Sequence, residues 1–373
     1  MTASPATRLE RLLGFLEHDA ENPALLADAA SAALDAGQPA VTLSLVERRA
    51  AVAAPSPELR NLAGLAALRD GQVDQALASF QALQNEGHDD PALRFNLAWC
   101  QARNGAWEQA EAMLDVATVD AAPEGARLRV QALHHLGRLD EALALGEQRL
   151  AAGQTGEALI AALTLVALDA GAFAAAERYA GLIPDSVPAL SAQGLLALNA
   201  ERSDRAEGLF DAALAQAPTD GRALLGKGLS LLAQGEHRAA AIWLDRAAQS
   251  FDGHLGSWIA AGWAHFAAGD LVEARARFET ALNLDDTFSE AHGGLAVLDL
   301  MEGHVDTAEP RARRALRLDR EGFAAALATS LLAEQRGDLQ TAQSVRDKAL
   351  NAPAGPGGRT ILQSMAAIGP RRR

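Results

Sequence analysis

The groups in this chain that could do chemistry are nine histidines, one cysteine and 48 acidic residues among 373. A metal centre or a general acid–base pair needs such groups to converge. No His-Glu-x-x-His, Cys-x-x-Cys or Gly-rich phosphate loop is present. His237, His254, His265, His292 and His304 fall at five different phases of the period described below, a scatter rather than a face. His134 and His135 are adjacent, so on one helix they point about 100° apart. Cys100 has no second cysteine for a disulfide or a metal cage, and its phase suits a small buried residue. The carboxylates sit at solvated helix spacings. The expectation is no catalytic residue, no metal and no cofactor: not an enzyme.

Binding chemistry is more promising. Arg60, Arg94, Arg127 and Arg222 lie near expected helix starts, with Asn61 and Asn96 close by, and could contact acidic groups of a partner. The net charge of −15 speaks against a general nucleic-acid binder, which needs a basic face for phosphates, and against an anionic membrane surface. No apolar run reaches the length of a membrane span, so no membrane insertion is expected. The start Met1-Thr2-Ala3-Ser4-Pro5 lacks a basic stretch followed by an apolar core, which reads as a cytoplasmic protein without a secretory signal.

The elements that must position these groups repeat. Gly235, Gly269 and Gly303 stand 34 residues apart, each preceded by a small residue (Gly228, Gly262, Ala296) and followed by an alanine (Ala240, Ala274, Ala308). The same punctuation runs through Gly37, Gly71, Gly105, Gly137, Gly171 and Gly337, with Glu201 standing where one more glycine belongs. Prolines 23, 57, 91 and 123 mark starts, because a first helical turn tolerates the missing N–H. Ten units follow, starting near 23, 57, 91, 123, 157, 187, 221, 255, 289 and 323. Each reads as two helices, with the glycine as a left-handed cap on the first. The second packs through residues such as Ala76, Phe80, Ala206, Phe210, Ala274 and Phe278. With 49% hydrophobic residues, mostly Ala and Leu, and only 4% aromatic, the composition suits close helix packing.

This pattern resembles the tetratricopeptide repeat. That family places small residues at positions 8, 20 and 27 of a 34-residue helix–turn–helix unit, an aromatic near 24 and often Pro at 32. Position 27 is matched by Ala213, Ala247, Ala281, Ala315 and Ala349, position 24 by Phe80, Phe210 and Phe278, and position 32 by Pro218. The resemblance covers about residues 23–352. It implies an all-α fold, a right-handed superhelical solenoid of about ten helical hairpins. Residues 1–22 are expected to form an N-terminal cap helix. Residues 23–186 hold repeats one to five, irregular at 146–190, where Arg149 replaces a small residue. Residues 187–352 hold repeats six to ten, and 353–373 a Pro/Gly linker, a short helix and a basic tail. Asp306-Thr307-Ala308-Glu309 looks like a capping box, so Pro310 is expected to delay or kink that helix. The 34-residue step and the acidic charge both differ from the pentatricopeptide units that read RNA.

The resemblance also implies that first helices line a concave surface through positions 2, 5, 9 and 12. Phe95, Trp99, Leu195, Leu229, Ile259, Trp263 and Phe266 then share an apolar stripe. Two readings stay open. The stripe either packs against neighbouring helices, or forms a groove for a partner helix or extended peptide, with the aromatics as anchors. The family's chaperone-carboxylate clamp is absent in its usual form, since the only lysines, Lys227 and Lys348, have Leu231 and Ala352 four residues on. The function expected is a non-catalytic scaffold or adaptor, or a chaperone-like assembly factor, for a protein or peptide partner. Alternatives are a regulatory protein sensing a ligand or peptide, and a component of envelope, secretion or pilus assembly, as in bacterial members of this alanine-rich character. A homo-oligomer through the stripe is open, and light scattering detects it.

Overall fold

The computed structural model describes residues 4–52, 54–251 and 253–350, and these hold 22 helices and no strand. The linker, helix and tail expected at 353–373 lie outside the described residues. The chain divides into two compact units, Met1–Val166 and Ala167–Arg373. Each is a stack of helical hairpins.

In the first unit, α1 (Pro5–Leu16) precedes four hairpins: α2 (Pro23–Asp35) with α3 (Pro39–Val52), α4 (Pro57–Arg69) with α5 (Val73–Asn85), α6 (Pro91–Arg103) with α7 (Trp107–Met113) and α8 (Val116–Ala121), and α9 (Gly125–His135) with α10 (Leu139–Ala151). Helix α1 buries Leu9, Leu12 and Leu16 in the core of the first hairpin. Asn22, Ser56 and Asp90 cap α2, α4 and α6 through their side-chain oxygens, each followed by proline in the first turn.

The division between the units falls in α11 (Glu157–Asp169), which is followed by α12 (Phe173–Leu182). The second unit continues with α13 (Val187–Asn199) and α14 (Ser203–Gln216), α15 (Gly221–Gln234) and α16 (His237–Ser250), and α17 (Leu255–Ala268) and α18 (Leu271–Leu284). It ends with α19 (Ser289–Met301) and α20 (Val305–Leu318), then α21 (Phe323–Gln335) and α22 (Leu339–Leu350). No described helix is long and apolar enough to cross a membrane.

The nine expected glycines all have left-handed backbone, with φ between 68° and 85°. At Gly71 the motif is complete: Gln72 N–H donates to the Ala67 carbonyl and Gly71 N–H to that of Leu68. Glu201 makes the equivalent bonds, Arg202 N–H to Ala197 and its own N–H to Leu198, and it is the one described non-glycine residue with positive φ, at 60°. Its Cβ is strained there. Glu201→Gly is therefore expected to stabilise the protein by roughly 1 kcal/mol, read as a higher midpoint in urea unfolding; an unchanged or lower midpoint contradicts it.

Between hairpins the filler is a buried aromatic. Phe278 is wholly inaccessible. A Cβ on Gly262 would come within 2.5 Å of its ring, and one on Gly294 within 2.8 Å. The ring thus occupies the volume two glycines leave empty, one in its own hairpin and one in the next. Phe80 meets Gly64 and Phe210 meets Gly194 in the same way. In the last two hairpins the filler is small, Ala312, and there α21 lies directly against α19. A Cβ on Gly293 would meet the backbone of Ala324 and Ala325 at 2.6 and 2.7 Å. Helix α19 is accordingly buried on all sides from Ala291 to Leu300.

Two expectations are corrected, and one interruption was not expected: the second helix of the third hairpin stops at Met113 and resumes at Val116, where Asp115 caps α8. Arg149 is accommodated because its guanidinium pairs with Asp120 on α8. Pro123 lies in a turn, and α9 starts at Gly125, where a Cβ would strike the Val119 backbone. Helix α20 begins at Val305 and continues through Pro310, so the proline leaves the Asp306 carbonyl without its intrahelical donor but neither delays nor ends the helix.

Candidate partner-binding face

In the first unit, α2, α4 and α6 lie side by side with two open recesses between them. One, of about 530 Å³, is lined by Pro23, Ala27 and Asp28 of α2 and by Glu58, Leu59 and Leu62 of α4. The other, of about 470 Å³, is lined by Asn61 and Leu65 of α4, Leu83 of α5, and Asp90, Ala92 and Asn96 at the start of α6. Beyond Ala92 the same stripe of α6 carries Phe95 and Trp99, spaced as neighbours on a helix. Both rings are half-buried, with centroids 5.9 Å apart. The Arg127 guanidinium lies over Trp99 at 5.0 Å, and its Nη1 donates to Gln131 at 2.6 Å.

The stripe expected from the sequence divides three ways. Phe95 and Trp99 are half-buried on α6, whose first turns line the second recess. In the second unit, Leu195 and Leu229 are half-buried against neighbouring leucines. Ile259 is 8% exposed and belongs to the core around Phe278, so it offers a partner no surface, contrary to the groove reading. Trp263 and Phe266 are engaged by the chain's own last hairpin: the Phe323 ring meets Trp263 edge-on at 5.9 Å, and Leu327 and Leu331 join the same cluster. The close approach at Gly293 is what brings α21 there.

The arginines are also reassigned. Arg60 pairs with Glu86, Arg94 with Asp89 at 3.1 Å and Asp115 at 3.7 Å, Arg127 with Glu124, and Arg222 with Asp169 at 2.7 Å. A guanidinium already held by an internal carboxylate is not free for a partner's. These partners are distant in sequence in most cases, so spacing alone did not reveal them. The residues missed were Asp28 and Glu58 of the first helices and Asp90, the cap of α6, none of which is an apolar member of the stripe.

The histidines remain apart. His135 stacks on Trp107 at 3.9 Å, and its pKa is lowered by burial and then by His134. Among the described residues no three His, Cys, Asp or Glu side chains are grouped as a metal would need. The Cys100 thiol is buried and pushed up to about 11 by desolvation, which leaves it protonated and inert at neutral pH.

One part-buried network has a pH signature. Asp245 on α16 accepts from Arg277 on α18 at 2.7 Å and lies 3.0 Å from His265 Nε2 on α17. Burial is the largest single influence and pushes its carboxyl up, but the hydrogen bonds from Arg277 and His265 together hold it below the usual range. A depressed carboxyl contributes stability above its unfolded value, near pH 4, and loses it as pH falls through the folded value. Asp245→Asn is expected to remove that acid-sensitive part. Melting temperature measured from neutral to strongly acid pH should fall less steeply for the variant, and parallel profiles would contradict it.

The chain was compared with known proteins. Family models described as tetratricopeptide repeat match residues 67–134, 191–254 and 265–334, together more than half of the chain. No curated protein matches the sequence. Among solved structures, a monomeric mutant of IFIT1 with Gppp-AAAA shares 14% identity over 93% of this chain and 94% of its own, with a TM-score of 0.55. A human IFIT1 dimer with PPP-AAAA shares 15% over the same shares, at 0.54. Pseudomonas aeruginosa pilF shares 20% over 51% of this chain and 88% of its own, at 0.43. At these identities the IFIT1 likeness is one of fold.

Proposed function

Because the chain belongs to the tetratricopeptide repeat family, we propose that it is a non-catalytic protein-interaction scaffold that receives a partner's peptide or helix on the α2–α4–α6 face of its first unit. The observation that carries this reading is the open pair of recesses flanking α4, the second of them lined by the start of α6, the helix that also carries Phe95 and Trp99. Half-buried aromatics beside open apolar recesses are the side chains that dominate association energies. In the second unit the corresponding tryptophan, Trp263, is already met by Phe323.

A protein partner fits this face better than a phosphate-bearing ligand such as those in the IFIT1 structures. The carboxylates of Asp28, Glu58 and Asp90 line the recesses, and the neighbouring arginines are held by internal partners. Phosphates would meet net repulsion, since the three carboxylates outnumber the one lining guanidinium, Arg49.

The test uses the whole protein as bait in native extract. Phe95→Ala/Trp99→Ala should lose the captured protein while Leu229→Ala retains it, and helical circular dichroism should be unchanged in both. Equal capture by the Phe95/Trp99 variant would refute the assignment of this face.

A further inference from the structure

We infer that the α2–α4–α6 face selects a cationic, apolar partner segment, one carrying Lys or Arg beside leucine-like side chains. The inference rests on the proposed function and adds the chemistry of the partner.

It comes from which charges near the recesses are already satisfied. Arg60 and Arg94 are consumed by Glu86, Asp89 and Asp115. Arg49, at the edge of the first recess, donates through Nε to the Pro23 carbonyl at 3.1 Å. His88 is the remaining basic side chain at the second recess. The carboxylates are in the opposite situation. Among the described residues, no arginine or lysine pairs with Asp28, Glu58 or Asp90. Asp90 accepts only the N–H groups of Ala92 and Leu93 at 3.0 Å, as the cap of α6. Glu58, held low chiefly by its backbone hydrogen bond and then by Ser56, stays ionised.

The placement of the three carboxylates matters as much as their number. Glu58 lines both recesses, so it stands on the ridge of α4 between them. Asp28 flanks the first recess and Asp90 the second. An apolar floor of Ala27, Leu59 and Leu62 on one side, and of Leu65, Leu83 and Ala92 on the other, is therefore bordered by an excess of negative charge, three carboxylates against the one guanidinium of Arg49. A neutral apolar segment would gain the burial alone. A cationic one adds electrostatic complementarity and faster encounter, whereas an acidic one is repelled.

The probe is a fluorescein-labelled amphipathic peptide of leucine and lysine, titrated with the full-length protein at physiological salt and followed by anisotropy. Its counterpart replaces lysine by glutamate. Asp28→Asn/Glu58→Gln/Asp90→Asn removes the three charges, and asparagine at 90 keeps a good helix cap. A control, Glu236→Gln/Asp270→Asn/Asp306→Asn, removes the same charge from exposed positions of the second unit. The recess variant should bind the leucine–lysine peptide about tenfold more weakly, and the control should stay within about twofold of the wild type. The leucine–glutamate peptide should bind most weakly of all. If the two triple variants weaken binding equally, or the acidic peptide binds as well as the basic one, the inference is overturned. Phe95→Ala/Trp99→Ala separates the two levels: if it still weakens binding in that case, the face stands and only its charge selectivity fails. If neither it nor the recess variant has any effect, both fail. Circular dichroism on every variant confirms that the comparison is between folded proteins.

Discussion

Phe278→Ala is expected to destabilise the second unit by about 3–5 kcal/mol, the range for removing a large aromatic from a core that cannot collapse. The ring lies between Gly262 and Gly294, with Trp263 edge-on at 5.3 Å. Glycines have no side chains to move into the space, and the helix backbones around it are held by their own hydrogen bonds, so the cavity stays. The loss should be concentrated in neighbouring repeats, because a repeat array is stabilised by its nearest interfaces. Hydrogen exchange should therefore accelerate in α17, α18 and α19 of the variant. A small loss, or faster exchange spread evenly over the chain, would show that the ring is not the filler between these hairpins. Phe278→Leu, which keeps most of the volume, should recover much of the stability.

Asp299→Ala is the second large effect, again about 3–5 kcal/mol. Asp299 is 3% exposed in the middle of α19. It accepts from Arg275 of α18 at 2.9 Å and from Arg311 of α20 at 2.5 Å. One carboxylate thus ties three consecutive helices. Removing it leaves two guanidinium groups close together and short of a counter-charge, although Glu302 still reaches Arg275 at 2.9 Å. The cost is mainly that of the arginines left behind, so Asp299→Ala/Arg275→Leu/Arg311→Leu should be less harmful than the single change. Urea unfolding of the four proteins (wild type, Asp299→Ala, Arg275→Leu/Arg311→Leu and the triple) measures this. Additive losses would contradict the network.

The period of the fold was legible because its punctuation is local. A left-handed glycine at most of the 34-residue steps and a proline in a first turn act within a few residues of themselves, and apart from Pro123, which lies in a turn before α9, the prolines stand where first helices begin. Even the missing glycine kept its conformation, since Glu201 closes the same two hydrogen bonds.

What the sequence did not reveal depends on groups brought together by packing. The approach of α21 to α19 needs both the small Ala312 and the bare backbone at Gly293, and only their combination seats Phe323 on Trp263. Without it, Trp263 and Trp99 look equivalent, since they share a repeat phase. The arginine partners lie on other helices or loops, as with Arg222 and Asp169, 53 residues apart. The break after Met113 has no proline or glycine to mark it. Asp28, Glu58 and Asp90 were visible as acidic residues, but their meaning depends on which neighbouring cations were already taken.

The most direct measurement of the central claim is hydrogen exchange on the full chain with and without its captured partner. Binding on the first unit's open face predicts slowed exchange in residues 57–69 and 91–103, with 255–268 unchanged. Protection of 255–268 with none in α4 and α6 would place the partner on the second unit and contradict the account.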